Sequence, residues 1–113
     1  KLPNPSEIGN CGSFFKNPVI LKTDYEKLFA QYPDLPSYPI NEIQVKVPAG
    51  WLIEHCGLKG YRQGDAGVHA QQALVLVNYG KATGNDILAV AYYVKEIVQK
   101  QFSISLDFEV NIF

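Results

Sequence analysis

Asn85-Asp86-Ile87-Leu88-Ala89-Val90-Ala91-Tyr92-Tyr93-Val94-Lys95-Glu96-Ile97-Val98-Gln99-Lys100-Gln101-Phe102 is the stretch from which the fold can be read. Ile87, Val90, Ala91, Val94, Val98 and Phe102 recur at spacings of three and four, which places them on one apolar stripe of a helix. The spacing predicts a helix from near Asn85 to about Phe102. Ile104 to Ile112 follows directly and alternates: Leu106, Phe108, Val110 and Ile112 fall on one face of a strand, and Asp107, Glu109 and Asn111 on the other. A long amphipathic helix running into an alternating strand calls for a sheet with helices packed over it.

Upstream segments extend this picture. Ala73 to Val77 is a continuous apolar run of strand length, suited to the middle of a sheet. Pro48 to Cys56 reads as a short helix, with Trp51, Leu52 and Cys56 on one face and Gly57 as the residue that ends it. Between these two, Leu58 to Gly67 is polar and glycine-rich and is expected to be loop. Ile43, Val45 and Val47 alternate with Glu42, Gln44 and Lys46 as in a half-buried strand. Thr23-Asp24-Tyr25-Glu26 has the pattern of a capping box, opening a helix that carries Leu28, Phe29 and Tyr32 and stops before Pro33. The loop from Pro33 to Pro39 then displays Tyr38. Phe14 to Leu21 is expected to be extended, with Pro18 at an edge or bulge. Lys1 to Asn10 is expected to be an extended arm, since Pro3 and Pro5 exclude helix. Helices and strands mix without strict βαβ alternation, so the expected class is α+β, as one domain over residues 1–113.

The composition narrows the function classes. The chain has 113 residues, 47% of them hydrophobic and 19% charged, which suits a single globular domain with its own core. A net charge of −1 with dispersed basic residues argues against a nucleic-acid groove or a polybasic membrane anchor. The longest aliphatic run is far short of a membrane span, and the polar, proline-broken start is not a signal peptide. Cys11 and Cys56 are expected to be reduced, in a cytoplasmic protein. No cysteine or histidine pair has the spacing of a metal site. The absence of methionine, with a start at Lys1, gives the expectation of a piece of a longer polypeptide.

Gly9-Asn10-Cys11-Gly12-Ser13-Phe14-Phe15-Lys16-Asn17-Pro18 sets polar chemistry in a glycine-rich turn. Ser13, Lys16 and Asn17 are available there for hydrogen bonding, while the phenylalanines anchor the turn on a core. No catalytic triad accompanies it. His55 and His69 have no neighbouring nucleophile and read as hydrogen-bonded structural groups. Gly57-x-x-Gly60 and Gly64-x-x-Gly67 do not have the spacing of a phosphate-binding fingerprint.

A resemblance covers the whole chain. Gly12-Ser13-Phe14-Phe15-Lys16-Asn17-Pro18 is followed by Pro48-Ala49-Gly50-Trp51-Leu52-Ile53-Glu54, Gly57-Leu58-Lys59-Gly60, Gly67-Val68-His69 and Gln72-Ala73-Leu74-Val75-Leu76-Val77-Asn78. Leu106-Asp107-Phe108-Glu109-Val110 ends the series. In this order and at these intervals the motifs resemble the C-terminal, substrate-binding domain of the UDP-N-acetylenolpyruvoylglucosamine reductases, the MurB family of flavoenzymes in peptidoglycan precursor synthesis.

The resemblance implies hydride transfer from reduced FAD to C3 of an enolpyruvyl ether, with NADPH as the reductant, and protonation at C2. It implies that Ser13 is the proton donor and that Glu109 is the catalytic carboxyl group. It also implies that Lys1, Asn17, Tyr38, Lys59 and Gln72 contact the UDP-sugar, with no metal. Lysine ammonium groups suit a diphosphate, and amides and a phenol suit uracil or sugar hydroxyls. The flavin-binding domain of the family is missing from this segment, and with it the FAD site and an active-site arginine. The fragment alone is therefore expected to be inactive, with that missing domain as its partner. Cys11 fits a small-residue position beside the serine and carries no assigned chemistry. Two other readings remain open at this point: a free-standing UDP-sugar binding or regulatory module without flavin, and a small α+β domain for protein contacts.

Overall fold

A computed structural model describes residues 14–109 of the chain. In chain order these form β1 (Val19–Leu21), α1 (Lys22–Gln31), β2 (Tyr38–Pro39), β3 (Gln44–Lys46), α2 (Ala49–His55), β4 (Arg62–Gln63), β5 (Ala66–Val68), β6 (Leu76–Asn78) and α3 (Gly84–Phe102). The class is α+β, as the pattern predicts. The N-terminal arm, with Lys1, Cys11 and Ser13, and the last residues of the expected final strand lie outside the described residues.

The α3 helix is the core-forming element. Its buried residues are Ile87, Val90, Ala91, Val94, Val98 and Phe102, the stripe read from the spacing. They pack on β5, β6 and α2. The helix is closed at its start by a reciprocal cap: Thr83 Oγ1 accepts from Asp86 N, and the Asp86 side chain accepts from Thr83 N. It ends at Ser103, whose left-handed φ of 58° turns the chain. Beyond it the alternation holds through residue 109. Ile104 and Leu106 are buried and Phe108 is half-buried, while Ser105, Asp107 and Glu109 face outward.

The single expected sheet is instead two antiparallel three-stranded sheets, ordered β1-β3-β2 and β4-β5-β6. Pro48 cannot donate to a ladder, and α2 begins immediately after it, so the chain leaves the first sheet before the second starts. The Leu58–Gly67 segment is not a plain loop. Its glycines and polar residues make a hairpin between β4 and β5, turned at Gly64 with φ +63°. Gly67 must be glycine, because a Cβ there would lie 2.5 Å from Tyr61 O.

The apolar run also behaves differently from expectation. Only Leu76–Asn78 is strand, and β6 lies at an edge of its sheet, with β5 in the middle. The run is nevertheless buried at Ala73, Val75, Leu76 and Val77. Packing against α3 covers β6, and Phe14 N donates to Leu74 O at 2.7 Å from the other side. The final segment does not enter this sheet. It meets the chain start instead, through one antiparallel bridge between Phe15 and Phe108.

Two local readings, at Thr23 and Ile43, are corrected as well. Thr23 is not a helix cap, because α1 grows directly out of β1: Leu21 stands at the cap position and Lys22 N donates to Ile43 O at 2.8 Å. Phe29 on that helix is 44% exposed, while Tyr25, Leu28 and Tyr32 pack against the core. Ile43 is 65% exposed, because Asn41 Oδ1 accepts from Ile43 N and Gln44 N and bends the chain before β3 begins.

The α2 helix has the predicted extent, and Gly57 follows it with φ +76°. Its N-terminus is capped from a distance: Ala49 N donates to Asn17 Oδ1 at 2.9 Å. Replacing Asn17 with Ala should lower stability by about 0.5–2 kcal/mol through loss of this cap, measured by urea denaturation. Val94→Asp would bury an unpaired charge in the α3 stripe and should cost several kcal/mol, on the order of 3 or more. An unfolding midpoint within a degree or two of the parent would overturn the assignment of that face.

Candidate active site

Phe14 occupies the centre of the candidate site, one residue after Ser13. Its N–H donates to Leu74 O and its carbonyl accepts from Glu109 N, both at 2.7 Å. Lys16 N donates to Asp107 O at 2.8 Å, so residues 14–16 run antiparallel to 107–109. The phenylalanine rings reinforce the pairing. Phe14, Phe15 and Phe108 form an edge-to-face triangle with centroids 5.5–5.7 Å apart. Glu109 is thereby held beside the segment that follows Ser13, on the exposed side of the alternation.

Gln72 lies in the turn that enters β6. His69 Nδ1 accepts from both Gln71 N and Gln72 N, at 3.0 and 3.1 Å, and Val75 N donates to Gln72 O. His69 is therefore the hydrogen-bonded structural group expected of it, and it shapes the turn that carries Gln72. Lys59 sits in the neighbouring turn: Gly60 N donates to His69 O at 3.3 Å. The Lys59 ammonium pairs with Glu54 Oε1 at 2.8 Å. This pair is solvent-accessible, so it is weak and replaceable by a stronger anion. Glu54 appears in the sequence only as part of a helix motif, and its acidic type four residues after Gly50 carries no signal of this partnership.

Asn17 lies close to the same ground, through its bond to the start of α2. Gly50 in that helix faces Leu74, whose Cγ would be 3.5 Å from an added Cβ. Tyr38 stands on β2 rather than in a plain loop, 56% exposed and opposite Lys46. The structure thus brings Glu109, Gln72, Lys59 and Asn17 around the joined segments 14–16, 72–74 and 107–109, with Tyr38 on the adjoining sheet. Lys1 and Ser13 lie outside the described residues.

The remaining reactive groups are structural. His55 stacks on Trp51 with centroids 4.7 Å apart and planes 9° apart, and Tyr32 and Phe102 complete the cluster. Burial pushes the Cys56 thiol up, which disfavours the thiolate. Among the described residues no cluster of metal ligands occurs, and no helix is long and apolar enough to cross a membrane.

The connection from β6 to α3 is of the strand–loop–helix kind that can cradle dinucleotide phosphates. Its residues do not fit that role. Every loop N–H is engaged internally: Tyr79 N donates to Asp65 O, Gly80 N and Ala82 N to Asn78 Oδ1, Lys81 N to Asp65 Oδ2, and Thr83 N to Asp86 Oδ2. Two carboxylates there repel an anion, so a flavin diphosphate has no seat at this helix.

Residues 4–113 match the family model described as UDP-N-acetylenolpyruvoylglucosamine reductase, C-terminal domain. A protein of that name from Flavobacterium johnsoniae is 56% identical over 112 residues, covering 99% of this chain and 33% of the relative. Its namesakes from Porphyromonas gingivalis and Pasteurella multocida are 54% and 52% identical over 111 residues, each covering 98% of this chain and 33% of the relative. The chain spans about a third of the length of these relatives. The family model across almost the entire chain, together with relatives more than half identical to it, places this α+β chain in the UDP-N-acetylenolpyruvoylglucosamine reductase family, as a match to its C-terminal domain.

Proposed function

We propose that residues 1–113 form the substrate-side domain of a cytoplasmic, NADPH-dependent reductase that converts UDP-N-acetylglucosamine enolpyruvate to UDP-N-acetylmuramate for peptidoglycan synthesis. The observation that carries this reading is the pairing of Phe14 with Glu109, which sets the segment following Ser13 against the carboxyl-bearing strand end. The reading as a free-standing binding module has no comparable support, because the full-chain relatives are named as reductases.

FAD held by another domain and reduced by NADPH would supply a hydride to C3 of the enolpyruvyl group. This chain supplies a proton donor, a carboxyl group and contacts to the nucleotide-sugar. Ser13 delivers the proton to C2, and Glu109 provides the neighbouring carboxyl group on which that transfer depends, since a hydroxyl alone is a weak acid. Lys59 and Lys1 offer charge to the diphosphate, and Asn17, Tyr38 and Gln72 orient the nucleotide-sugar. Asn17 Oδ1 accepts from Ala49 N, and its Nδ2 group offers two donors that suit phosphate or carbonyl oxygens.

The test separates the two half-reactions in a reductase that carries this chain joined to its flavin-binding domain. Ser13→Ala should leave reduction of the flavin by NADPH nearly intact and slow its reoxidation by the UDP-sugar about 10²–10⁴-fold. Stopped-flow absorbance of the flavin reads both steps. Glu109→Gln should slow the same step. A Ser13→Ala enzyme that reoxidises at the parental rate would reduce this hydroxyl to a loop residue.

A further inference from the structure

We infer that His69 is a positioning residue of the substrate site: its ring Nδ1 fixes the backbone at Gln72 and so sets the direction in which the Gln72 amide meets the nucleotide-sugar. The inference rests on the reading of Gln72 as a substrate contact and adds the residue that holds it in place.

His69 follows directly on β5, and the chain must turn back at once, because His69 N donates to Val75 O at 2.8 Å. The ring closes the turn from inside. Its Nδ1 accepts from Gln71 N at 3.0 Å and from Gln72 N at 3.1 Å. The peptide that precedes Gln72 is thus held through its N–H. The peptide that follows is held through its carbonyl, since Gln72 O accepts from Val75 N at 2.9 Å. A planar peptide leaves only two soft dihedrals at each residue. At Gln72 both are fixed, and with them the direction of the Cα–Cβ bond.

Holding the turn on the core does not require the ring. Ala73 and Val75 are buried, and Leu74 O accepts from Phe14 N at 2.7 Å. Gln71 and Gln72 are exposed, so water could satisfy their N–H groups in its place. What the ring adds is a fixed direction for the exposed arc that carries Gln72. A long amide side chain loses rotamer freedom when it binds, and a backbone ordered beforehand lowers that cost. The Lys59 turn is attached differently. Gly60 N donates to the His69 carbonyl at 3.3 Å, a main-chain bond that other residues at position 69 retain. The ring therefore acts through Gln72 and not through Lys59.

A double-mutant cycle in the reductase that carries this chain tests it, read as steady-state KM for the UDP-sugar and kcat. Gln72→Ala should raise KM about two- to ten-fold, the worth of a neutral hydrogen bond. His69→Ala should raise it by a similar factor and leave kcat nearly unchanged, as expected when uniform binding is lost. His69→Asn should recover most of the loss, because asparagine bears an acceptor, Oδ1, on the same Cγ. In the Gln72→Ala background His69→Ala should raise KM no further, whereas Lys59→Ala should multiply KM by the same factor with and without the ring. A folded His69→Ala enzyme with the parental KM would overturn the inference. So would an effect that adds in full to that of Gln72→Ala, or a His69→Asn enzyme no better than His69→Ala. Should His69→Ala fail to fold, His69→Gln takes its place, with its acceptor one bond farther out; failure of both to fold would make the ring structural and overturn the inference as well. The two levels separate cleanly. If Gln72→Ala raises KM and His69→Ala does not, only the role of His69 fails; if Gln72→Ala leaves KM unchanged, the reading of Gln72 as a substrate contact fails and takes the inference with it.

Discussion

Phe14 is hydrogen-bonded on both sides of its peptide, to Leu74 O and to Glu109 N. The site depends on this double attachment. It joins the start of the described chain, the turn before β6 and the segment after α3 at one point. Each bond contributes about 0.5–1.5 kcal/mol net, and each edge-to-face pair of the phenylalanine triangle adds about 0.5–1.5 kcal/mol beyond area burial. Segments remote in sequence meet here, and their phenylalanine rings are packed together at the junction.

The α2 helix sets the second dimension. Asn17 holds its first N–H, and Glu54 near its end holds the Lys59 ammonium. The positive φ of Gly57 and Gly60 folds the chain back, so that Gly60 N reaches His69 O and the Lys59 and Gln72 turns lie side by side. His69 does its work through Nδ1, which accepts from two backbone N–H groups. A histidine read from the sequence as a hydrogen-bonded structural group is here the keystone of a turn. The β6–α3 connection makes the complementary point: a strand, glycines and a long helix suggest an anion cradle, yet the loop's own acceptors have occupied its N–H groups.

Much of this was legible from local pattern. The six apolar positions of α3 are buried as their spacing requires, because each contact on a helix face is set by neighbours three and four residues away. The alternation after Ser103 holds through Glu109 for the same kind of reason, a period of two imposed by the pleat. Where local signals competed, they misled. Thr23 offers a cap, but Lys22 N is already satisfied by Ile43 O, and the reciprocal cap forms at Thr83 and Asp86 instead. Ile43 continues the alternation of Val45 and Val47, but the Asn41 turn takes it out of the sheet.

By itself, the sequence determined the α+β class, the extents of α2 and α3 within a residue or two, the faces of the last segment as far as Glu109 and, through its ordered motifs, the family. These rest on short-range periodicity and on residue identity, which are properties of a linear chain. Tertiary structure alone decided that there are two sheets, that β6 is an edge, that Asn17 caps α2, and that Lys46 lies between Val19 and Tyr38. Those outcomes depend on hydrogen bonds between segments tens of residues apart. Many pairings satisfy the same periodicity, and only the packing of the whole core selects one.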